Sequence, residues 1–208
     1  MVVILLERIP VGISQCNCYL VGEKMGKITV IDPGAEGKEI ASRVENYASR
    51  VERIINTHGH FDHIGGNCFL REKFNSQLMI HQREENYLVN SRKNLSAFLD
   101  IGEITGPAAD DFLTEGEQIE IGNNIFKVIH TPGHSPGGIC LYCEQEKILF
   151  CGDLIFKNGV GRTDLPGGDK DRLHKSIEEK ILPLADDTII YPGHGEQTTI
   201  ADFKENVW

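Results

Sequence analysis

The sequence predicts a single domain, residues 1–208, of the α+β class, with β-strands and α-helices in mixed order. Its 208 residues correspond to about one domain at the usual ~150 residues per domain. Hydrophobic residues make up 40% of the chain and charged residues 25%, which is typical of a globular protein and excludes a disordered one. Short runs of strand formers are interspersed with segments of helical spacing, so both element types are expected.

The first part of the chain is rich in residues that favour strands. Residues 2–7 and 16–21 each form such a run. Residues 27–31 form a third run, which ends at the turn Asp32-Pro33-Gly34. We therefore expect three strands in this part of the chain.

Helical spacing first appears in residues 38–51, where apolar residues recur every three or four positions. The members of this stripe are Ile40, Val44, Tyr47, Ala48 and Val51. A second helix is predicted to begin at Asp62, whose carboxylate suits an N-cap.

Later helices are predicted in three places. One begins near Asp169 and places Leu173, Ile177 and Ile181 on one face. Residues 83–107 have weak periodicity and are interpreted as short helical pieces joined by loops. Residues 198–207 are predicted to form a terminal helix.

The charge of the chain excludes some classes of function. The formal net charge is −10, whereas a nucleic-acid-binding protein normally carries a basic patch that neutralises phosphates. The same balance argues against adhesion to an anionic membrane surface. No apolar run approaches the ~20 residues of a membrane span, and no signal-peptide pattern follows Met1. We therefore expect a cytoplasmic protein whose six cysteines are reduced. Nothing in the sequence selects an oligomeric state.

A recurring pattern indicates where the chemistry lies. Four strand-like runs, residues 53–57, 126–129, 148–151 and 188–191, each lead into a glycine-containing turn with a metal-type ligand. The turns are His58-Gly59-His60-Phe61-Asp62-His63, His130-Thr131-Pro132-Gly133-His134, Gly152-Asp153 and Pro192-Gly193-His194. Because strands hold loop ligands rigidly, the ends of several strands at one edge often form a site.

Seven side chains are candidate metal ligands: His58, His60, Asp62, His63, His134, Asp153 and His194. One zinc ion takes four protein ligands in a structural site, or three and a water molecule in a catalytic site. Seven ligands instead suit two divalent metal ions, ~3.5–4 Å apart and bridged by a carboxylate. Imidazole and carboxylate ligands favour zinc but are also compatible with iron or manganese.

The same motifs resemble those of a known superfamily. The segment from Thr57 to Gly66, Thr-His-Gly-His-Phe-Asp-His-Ile-Gly-Gly, resembles the signature of the metallo-β-lactamase fold superfamily, and the downstream ligands follow in its order. A narrower similarity to glyoxalase II (hydroxyacylglutathione hydrolase) and its short relatives lies in three further segments. These are Thr131-Pro132-Gly133-His134-Ser135, residues 152–164 and Pro192-Gly193-His194-Gly195.

This resemblance implies a four-layer αβ/βα sandwich with two mixed sheets, helices outside and the site at one edge. It implies one metal held by His58, His60 and His134, and a second held by Asp62, His63 and His194. Asp153 would bridge the two metals, and Asp62 would also orient the attacking group. The implied reaction is hydrolysis of an acyl-glutathione-like thioester by a metal-bridging hydroxide, with a small anionic molecule as substrate. A thioester suits this chemistry because its thiol, with a pKa near ~8.5, leaves without a strong general acid.

Substrate contacts are expected from the glycine-rich loop after Asp153. Arg162 matches the position where glyoxalase II carries a basic residue against glutathione; the alternative is a salt bridge to Asp164. Lys157 and Asn158 are predicted to line the same opening. Glyoxalase II continues into a helical domain that holds glutathione, whereas only 14 residues follow His194 here. The substrate grip is therefore expected from the core loops, including residues 83–107.

Three alternatives remain. A persulfide dioxygenase of the same superfamily would use one iron on His58, His134 and Asp153. A lactonase shares the ligands, whereas a β-lactamase is disfavoured because its strand end usually lacks the carboxylate of Asp153. A non-catalytic metal-binding module is disfavoured by the complete ligand set.

Two other groups are further candidates for a site. Cys140 and Cys143 have the spacing of a zinc pair, but in a strand their side chains would face opposite sides. His81 is expected to be either structural or a partner of a metal ligand.

Overall fold

Two six-stranded β-sheets pack face to face, and helices cover the outer face of each sheet. The computed structural model describes residues 4–47, 49–100 and 102–208. This arrangement confirms the α+β class and the four-layer αβ/βα sandwich.

The first sheet has the strand order β1-β2-β3-β4-β5-β6. Its strands are β1 (Leu5–Val11), β2 (Cys16–Gly22), β3 (Lys27–Ile31), β4 (Arg50–Ile55), β5 (Gln77–His81) and β6 (Asp111–Leu113). β1 to β3 form an antiparallel meander, whereas β3 to β6 are parallel. The three predicted N-terminal strands are confirmed, but the first extends to Val11, and Val2 and Val3 lie outside the described residues.

The second sheet has the order β14-β13-β10-β9-β8-β7. Its strands are β7 (Gln118–Ile121), β8 (Asn124–His130), β9 (Ile139–Cys143), β10 (Ile148–Gly152), β13 (Ile189–Pro192) and β14 (Thr198–Thr199). A separate hairpin pairs β11 (Ile155–Phe156) with β12 (Gly159–Val160). All four strands predicted to lead into ligand turns are present, as β4, β8, β10 and β13.

Helices connect the strands. They are α1 (Gly37–Asn46), α2 (Phe61–Ile64), α3 (Asn67–Phe74), α4 (Glu85–Val89), α5 (Lys170–Ser176) and α6 (Ile200–Asn206). Short 3₁₀ turns occupy Gln82–Glu84 and Ser96–Phe98, so the short helical pieces predicted within 83–107 are confirmed. A π-helical segment, Ile177–Ile181, continues α5.

Three helix boundaries differ from the sequence prediction. The first helix ends at Asn46, and Val51 lies in β4, where it pairs with Ile28. Ala48, also assigned to that helix, lies outside the described residues. Asp62 is not an N-cap: it lies inside α2, after His60 at the cap position.

The start of α5 was predicted correctly. Asp169 is its N-cap and accepts a hydrogen bond from the backbone N–H of Arg172. The terminal helix α6 begins later than predicted, because Thr198 and Thr199 form β14. Thr199 then caps α6 by accepting from the N–H of Asp202.

Side-chain alternation explains the layers. In the first sheet, Ile54 faces α1 and α3, whereas its neighbour Ile55 faces the second sheet. In β9, Cys140 packs under α5 while Cys143 lies between the sheets, which excludes a shared metal. The six cysteines are free thiols, and Cys68 alone among them is exposed.

Within the part of the chain that the structure describes, no helix combines the length and apolar character needed to cross a membrane.

Candidate metal centre

The seven predicted ligands meet where strands of both sheets end at one edge of the sandwich. β4 from the first sheet leads into the turn with His58, His60 and α2. β10 and β13 are parallel neighbours in the second sheet, so Asp153 and His194 leave it side by side. The backbone N–H of Gly193 donates to the carbonyl of Gly152 and joins these two turns.

His58, His60 and His134, which we call the imidazole triad, converge on one point. His58 Nε2 lies 3.0 Å from His60 Nδ1, and His134 Nε2 lies 2.9 Å from the same nitrogen. All three side chains are buried. A tetrahedral zinc ion with Zn–N bonds of about 2.0–2.1 Å holds its nitrogens about 3.3 Å apart, close to this spacing.

Asp62, His63 and His194, which we call the mixed cluster, lie beside the triad. His194 Nε2 is 3.4 Å from Asp62 Oδ2, and His63 Nε2 is 3.4 Å from Asp153 Oδ1. Asp153 Oδ2 lies 3.6 Å from His134 Nε2 and 3.7 Å from His194 Nε2. Asp153 therefore stands between the triad and the mixed cluster, where a bridging carboxylate is expected.

The donor atoms fit divalent metal ions. Asp153 Oδ1 and His63 Nε2 are buried and have no hydrogen-bond partner among the described residues. Buried polar atoms are normally satisfied, so these two atoms indicate a missing ligand. Three sets of candidate ligand atoms each lie within 4.8 Å of one another. They are the imidazole triad, His58 with His63 and Asp153, and Cys16 with His63 and His194.

Hydrogen bonds hold the far side of several ligands. His134 Nδ1 lies 2.8 Å from the carbonyl oxygen of Arg162, and His194 Nδ1 lies 3.0 Å from that of Ser14. Because a carbonyl only accepts, each Nδ1 carries the proton and each Nε2 keeps its lone pair for the site.

The buried carboxylate of Asp32 reaches both parts of the site, although the sequence predicts only a turn at Asp32-Pro33-Gly34. His63 Nδ1 lies 3.0 Å from Asp32 Oδ2. The Thr57 hydroxyl donates to the same oxygen at 2.6 Å and lies 3.2 Å from His58 Nδ1, from which it is left to accept. Asp32 thus sets the tautomer of one ligand in the triad and one in the mixed cluster. The available signal was its place directly after β3, before Pro33-Gly34, which repeats the strand-then-glycine-turn pattern of the other ligands.

Glu84 was also missed. Its buried carboxylate accepts hydrogen bonds from the backbone N–H of Gly59, at 3.0 Å, and of Gly137, at 2.6 Å. Burial raises the pKa of Glu84, although both hydrogen bonds oppose this. Glu84 therefore ties the loop of His58 and His60 to the loop of His134. No local motif marks this contact, because its partners are distant in sequence.

Titration differs between the two parts of the site. Burial, and then the neighbouring imidazoles, lower the pKa of His58 and bring that of His60 to about 3. Burial also opposes the charge of His194, but the hydrogen bond to Asp62 and the charge of Asp153 raise its pKa overall. Burial opposes the charge of Asp62 as well, yet its hydrogen bond to His194 lowers the pKa.

His63 and Asp153 shift each other's pKa in opposite directions. Burial disfavours the charged form of His63, but Cys16, Asp153 and Asp32 raise its pKa well above the ordinary value. Burial alone would raise the pKa of Asp153, whereas His63 is the main group that lowers it. Asp62 and Asp153 are therefore both ionised carboxylates at neutral pH, as metal binding requires.

One glycine is dictated by the crowding of the site. A Cβ added to Gly193 would lie 2.2 Å from Asp153 Oδ1 and 2.8 Å from His63 Cε1. Only glycine fits between these two ligands, which explains the glycine before His194.

The predicted substrate contacts lie on two different openings. Arg162 and four of the ligands, His60, Asp62, His134 and Asp153, line an open cavity of about 800 Å³. Lys157 and Asn158 do not line it, because the β11–β12 hairpin carries them to a separate depression beside His194. The prediction of one shared opening was wrong.

Two of these predicted contacts have other partners. Arg162 makes the alternative ion pair, with Nε and Nη2 each 2.8 Å from an oxygen of Asp164. Lys157 pairs with Glu196 at the exposed surface.

His81 belongs to neither part of the site. Its ring stacks on that of His130 with a centroid distance of 4.2 Å, and its Nδ1 accepts from the N–H of Arg83. This arrangement favours the structural interpretation.

A family model described as the metallo-beta-lactamase superfamily matches residues 11–194. The hydroxyacylglutathione hydrolase GloC of Haemophilus influenzae is 35% identical over 202 residues, which cover 97% of this chain and 95% of that protein.

Two crystal structures are similar over nearly the whole chain. The BLEG-1 B3 metallo-beta-lactamase shares 37% identity with a TM-score of 0.92, and the similarity covers 97% of both chains. TTHA1623 in a di-iron-bound form shares 32% identity with a TM-score of 0.82, covering 97% of this chain and 98% of that chain.

Proposed function

Because this chain belongs to the metallo-β-lactamase superfamily, we propose that it is a metal-dependent hydrolase that cleaves a thioester of the hydroxyacylglutathione type. The observation that carries the proposal is Asp153, which stands between the imidazole triad and the mixed cluster on the floor of an open cavity. The similarity to GloC supports this substrate class over others in the superfamily.

Two metal ions are proposed, one on the imidazole triad and one on the mixed cluster, with Asp153 shared. Zinc suits the imidazole and carboxylate donors, and iron and manganese accept the same ligands. The di-iron form of TTHA1623 supports a site for two ions. When bound, such ions supply hydroxide at neutral pH and polarise a carbonyl group.

The proposed reaction balances as hydrolysis. The oxygen of water forms a bond to the carbonyl carbon, and the bond from that carbon to sulfur breaks. Sulfur leaves with the bonding electron pair as thiolate, the acyl group becomes a carboxylate, and the two protons of the water pass to solvent, from which the thiolate can take one. Because a thiol with a pKa near ~8.5 is a good leaving group, no strong acid is needed on the sulfur side.

In this proposal Asp62 orients the attacking water. Its carboxylate reaches the open cavity, and its lowered pKa keeps it ionised at neutral pH. An ionised carboxylate only accepts hydrogen bonds, so it would turn one O–H of the water toward itself and a lone pair toward the substrate. Asp153 has its second role here, as the carboxylate that fixes the distance between the two ligand sets.

The substrate and location follow from the same chemistry. The sequence carries a net charge of −10, but bound dications would make the cavity floor locally positive and favour an anionic thioester. Six free thiols suit a reducing compartment such as the cytoplasm.

A β-lactam is the second candidate substrate. The similarity to the BLEG-1 B3 metallo-beta-lactamase, at 37% identity, favours it despite the carboxylate of Asp153. Its ring opening uses the same attack on a carbonyl, but the leaving group is an amine nitrogen. That group needs a proton, and Asp62 is ionised at neutral pH, so it supplies this proton only after accepting it from the attacking water.

The test measures bound metal and three activities on one purified sample. The substrates are S-lactoylglutathione, a β-lactam and glutathione persulfide, the last with oxygen consumption recorded. We expect two metals per chain and hydrolysis of the thioester well above that of the β-lactam. One iron per chain, with oxygen consumption and no thioester hydrolysis, would overturn the proposal.

A variant with a matched control links this activity to the site. Asp62→Asn keeps the shape of the side chain and removes its charge, so thioester hydrolysis should fall. Asp186→Asn is the control, because Asp186 is exposed and pairs with Lys204 away from the cavity. An equal loss of activity in both variants would show that the activity does not depend on this site.

A further inference from the structure

One side of the cavity above the metal centre is apolar and open. Ile13, Phe98 and Leu99, which we call the apolar wall, are 84%, 68% and 44% exposed. All three line the cavity that has Asp62, His134 and Asp153 on its floor. Exposing side chains of this size is unfavourable, so their grouping at one opening indicates a surface that binds something apolar.

Other exposed apolar residues do not share this grouping. Met25, Val89, Ile125 and Trp208 are also exposed, but none of them lines the cavity. Three of the seven large exposed apolar side chains in the described part of the chain therefore line the same cavity as Asp62, His134 and Asp153. Scattered exposed residues need no explanation, whereas a cluster around a reaction site does.

The apolar wall is fixed to the metal ligands. Ile13 lies in the β1–β2 turn, next to Ser14, whose carbonyl accepts from His194 Nδ1. On the other side, the backbone N–H of Phe61, the residue after His60, donates to the carbonyl of Asn94. Both sides of the wall are thus held at a fixed place relative to the reacting atoms.

Hydrogen bonds of Asn94 hold the segment that carries Phe98 in a defined turn. The buried amide of Asn94 donates to the carbonyls of Tyr87 and Ile104 and accepts from the N–H of Ser96. Leu95 has a φ of +78°, which a leucine adopts only at a cost in strain. The surrounding bonds maintain this strained turn, and backbone strain of this kind often marks a binding site. A wall held in place in advance loses little entropy on binding.

Charges on the wall side do not favour a polar occupant. Arg162 is the basic side chain that lines the cavity, and Asp164 neutralises it through two hydrogen bonds. Asp100 adds a negative charge to the rim. An anionic group of the substrate is therefore better placed toward the metal floor than against the wall.

We propose that the apolar wall binds the acyl group of the thioester, so that this enzyme selects acyl groups with a hydrocarbon chain or an aromatic ring over small ones. The inference rests on the proposed thioester hydrolase function and names its substrate class. Phe98 and Ile13 become specificity-determining residues, whereas the ligands determine the reaction.

The kinetic test compares two substrates that share their thiol, S-hexanoylglutathione and S-acetylglutathione. For the unmodified enzyme we expect kcat/KM to be about 10-fold higher with hexanoyl, because each buried methylene contributes to binding in an apolar pocket. Phe98→Ser and Ile13→Ser should remove most of this preference, because kcat/KM should fall far more with hexanoyl than with acetyl. Ile125→Ser is the matched control, since it removes an exposed isoleucine that does not line the cavity.

The outcomes separate the two proposals. Hydrolysis of both thioesters without a preference, or an equal loss of both rates in Phe98→Ser, would overturn the inference and leave the hydrolase function intact. Hydrolysis of neither thioester by the metal-loaded enzyme would instead contradict the proposed function. A change of oligomeric state in Phe98→Ser, with the preference unchanged, would assign the wall to a second copy of the chain.

A binding measurement tests the wall without turnover. The thioethers S-hexylglutathione and S-methylglutathione cannot be hydrolysed, so calorimetry reports their affinities directly. We expect the hexyl compound to bind about 10-fold more tightly to the unmodified protein and with equal affinity to the double variant Ile13→Ser, Phe98→Ser. Equal affinities in the unmodified protein would overturn the inference.

Discussion

The imidazole triad and the mixed cluster hold their ligands in different environments. His58, His60 and His134 are 2%, 3% and 6% exposed, and the pKa values of the first two are lowered. In the mixed cluster, the side chains of Asp62 and His194 are 18% and 25% exposed and form a charged pair. The triad is therefore desolvated and neutral, so a cation can bind it directly. The mixed cluster must first lose the ion pair between Asp62 and His194. We therefore expect the triad to bind metal more tightly.

The largest expected effect comes from removing a triad ligand. His134→Ala should lower thioester hydrolysis on the order of 10³-fold and remove at least one metal per chain, because His58, His60 and the shared Asp153 would be left without the third imidazole. Rates and elemental analysis check this. His194→Ala should cost less, and His174→Ala, which removes a histidine that packs against Trp208 away from the ligands, is the control. A greater loss in His194→Ala than in His134→Ala would reverse the comparison.

Asp32 connects the two parts, so its variants test whether they can be separated. Asp32→Asn should weaken metal binding by about 10–100-fold, because a partner that orients ligands has this typical effect. Metal titration against a chelating indicator measures this loss. Thr57→Val removes only the hydroxyl between Asp32 and His58, so it should weaken the triad and spare His63. Identical binding curves for these two variants would show that Asp32 does not reach the mixed cluster.

Glu84 supports the triad alone and should affect stability. Glu84→Gln places an amide donor against the N–H of Gly59 or Gly137, so one buried donor loses its partner. We expect the free energy of unfolding of the metal-free protein to fall by about 1–3 kcal/mol. Chemical denaturation measures the change, and the exposed neighbour variant Glu85→Gln should leave stability unaltered. Equal midpoints for the two variants would contradict the role of Glu84.

Protonation gives a smaller effect that distinguishes the two parts directly. In metal-free protein at pH 6.5, His194 should be more than half protonated, because its pKa is raised, while His60, with a pKa of about 3, stays neutral. The stabilising contribution of His194 is full below its unfolded pKa of about 6.5 and is lost as pH rises through its higher folded pKa. The contribution of Asp62 is present above about 3.8 and is lost as pH falls through its lower folded pKa.

The pair therefore stabilises the metal-free fold most between about pH 3.8 and 6.5. Titration of imidazole resonances by NMR checks both histidines in one experiment. A His60 resonance that titrates above that of His194 would contradict the assignment of charges.

Much of the site was predictable because its ligands are local in sequence or follow strand ends. His58, His60, Asp62 and His63 lie within six residues, and Asp153 and His194 each follow a glycine turn. Asp32 and Glu84 escaped prediction because their partners are brought to them by the fold. Glu84 reaches Gly137 across 53 positions, a contact that no pattern of neighbouring residues encodes.

The fold was predictable where periodicity is strong and less so at boundaries. The position of Val51 fits the helical spacing and also a strand. In the fold Val51 lies in β4, where it pairs with Ile28. The prediction that Lys157 and Asn158 line the same opening as Arg162 rests on their nearness in sequence. The turn of the β11–β12 hairpin separates them from Arg162. Hairpin geometry, which sequence spacing does not reveal, directs these side chains to the other opening.

Titration of metal-free protein with Zn²⁺ is the most direct test of two unequal metal sites in a hydrolase. Bound metal and hydrolysis of S-lactoylglutathione are measured in the same samples. We expect two equivalents per chain, with the first bound more tightly and the rate reaching its maximum only with the second. Saturation at one equivalent, or a full rate before the second ion binds, would contradict two unequal metal sites that are both needed for hydrolysis.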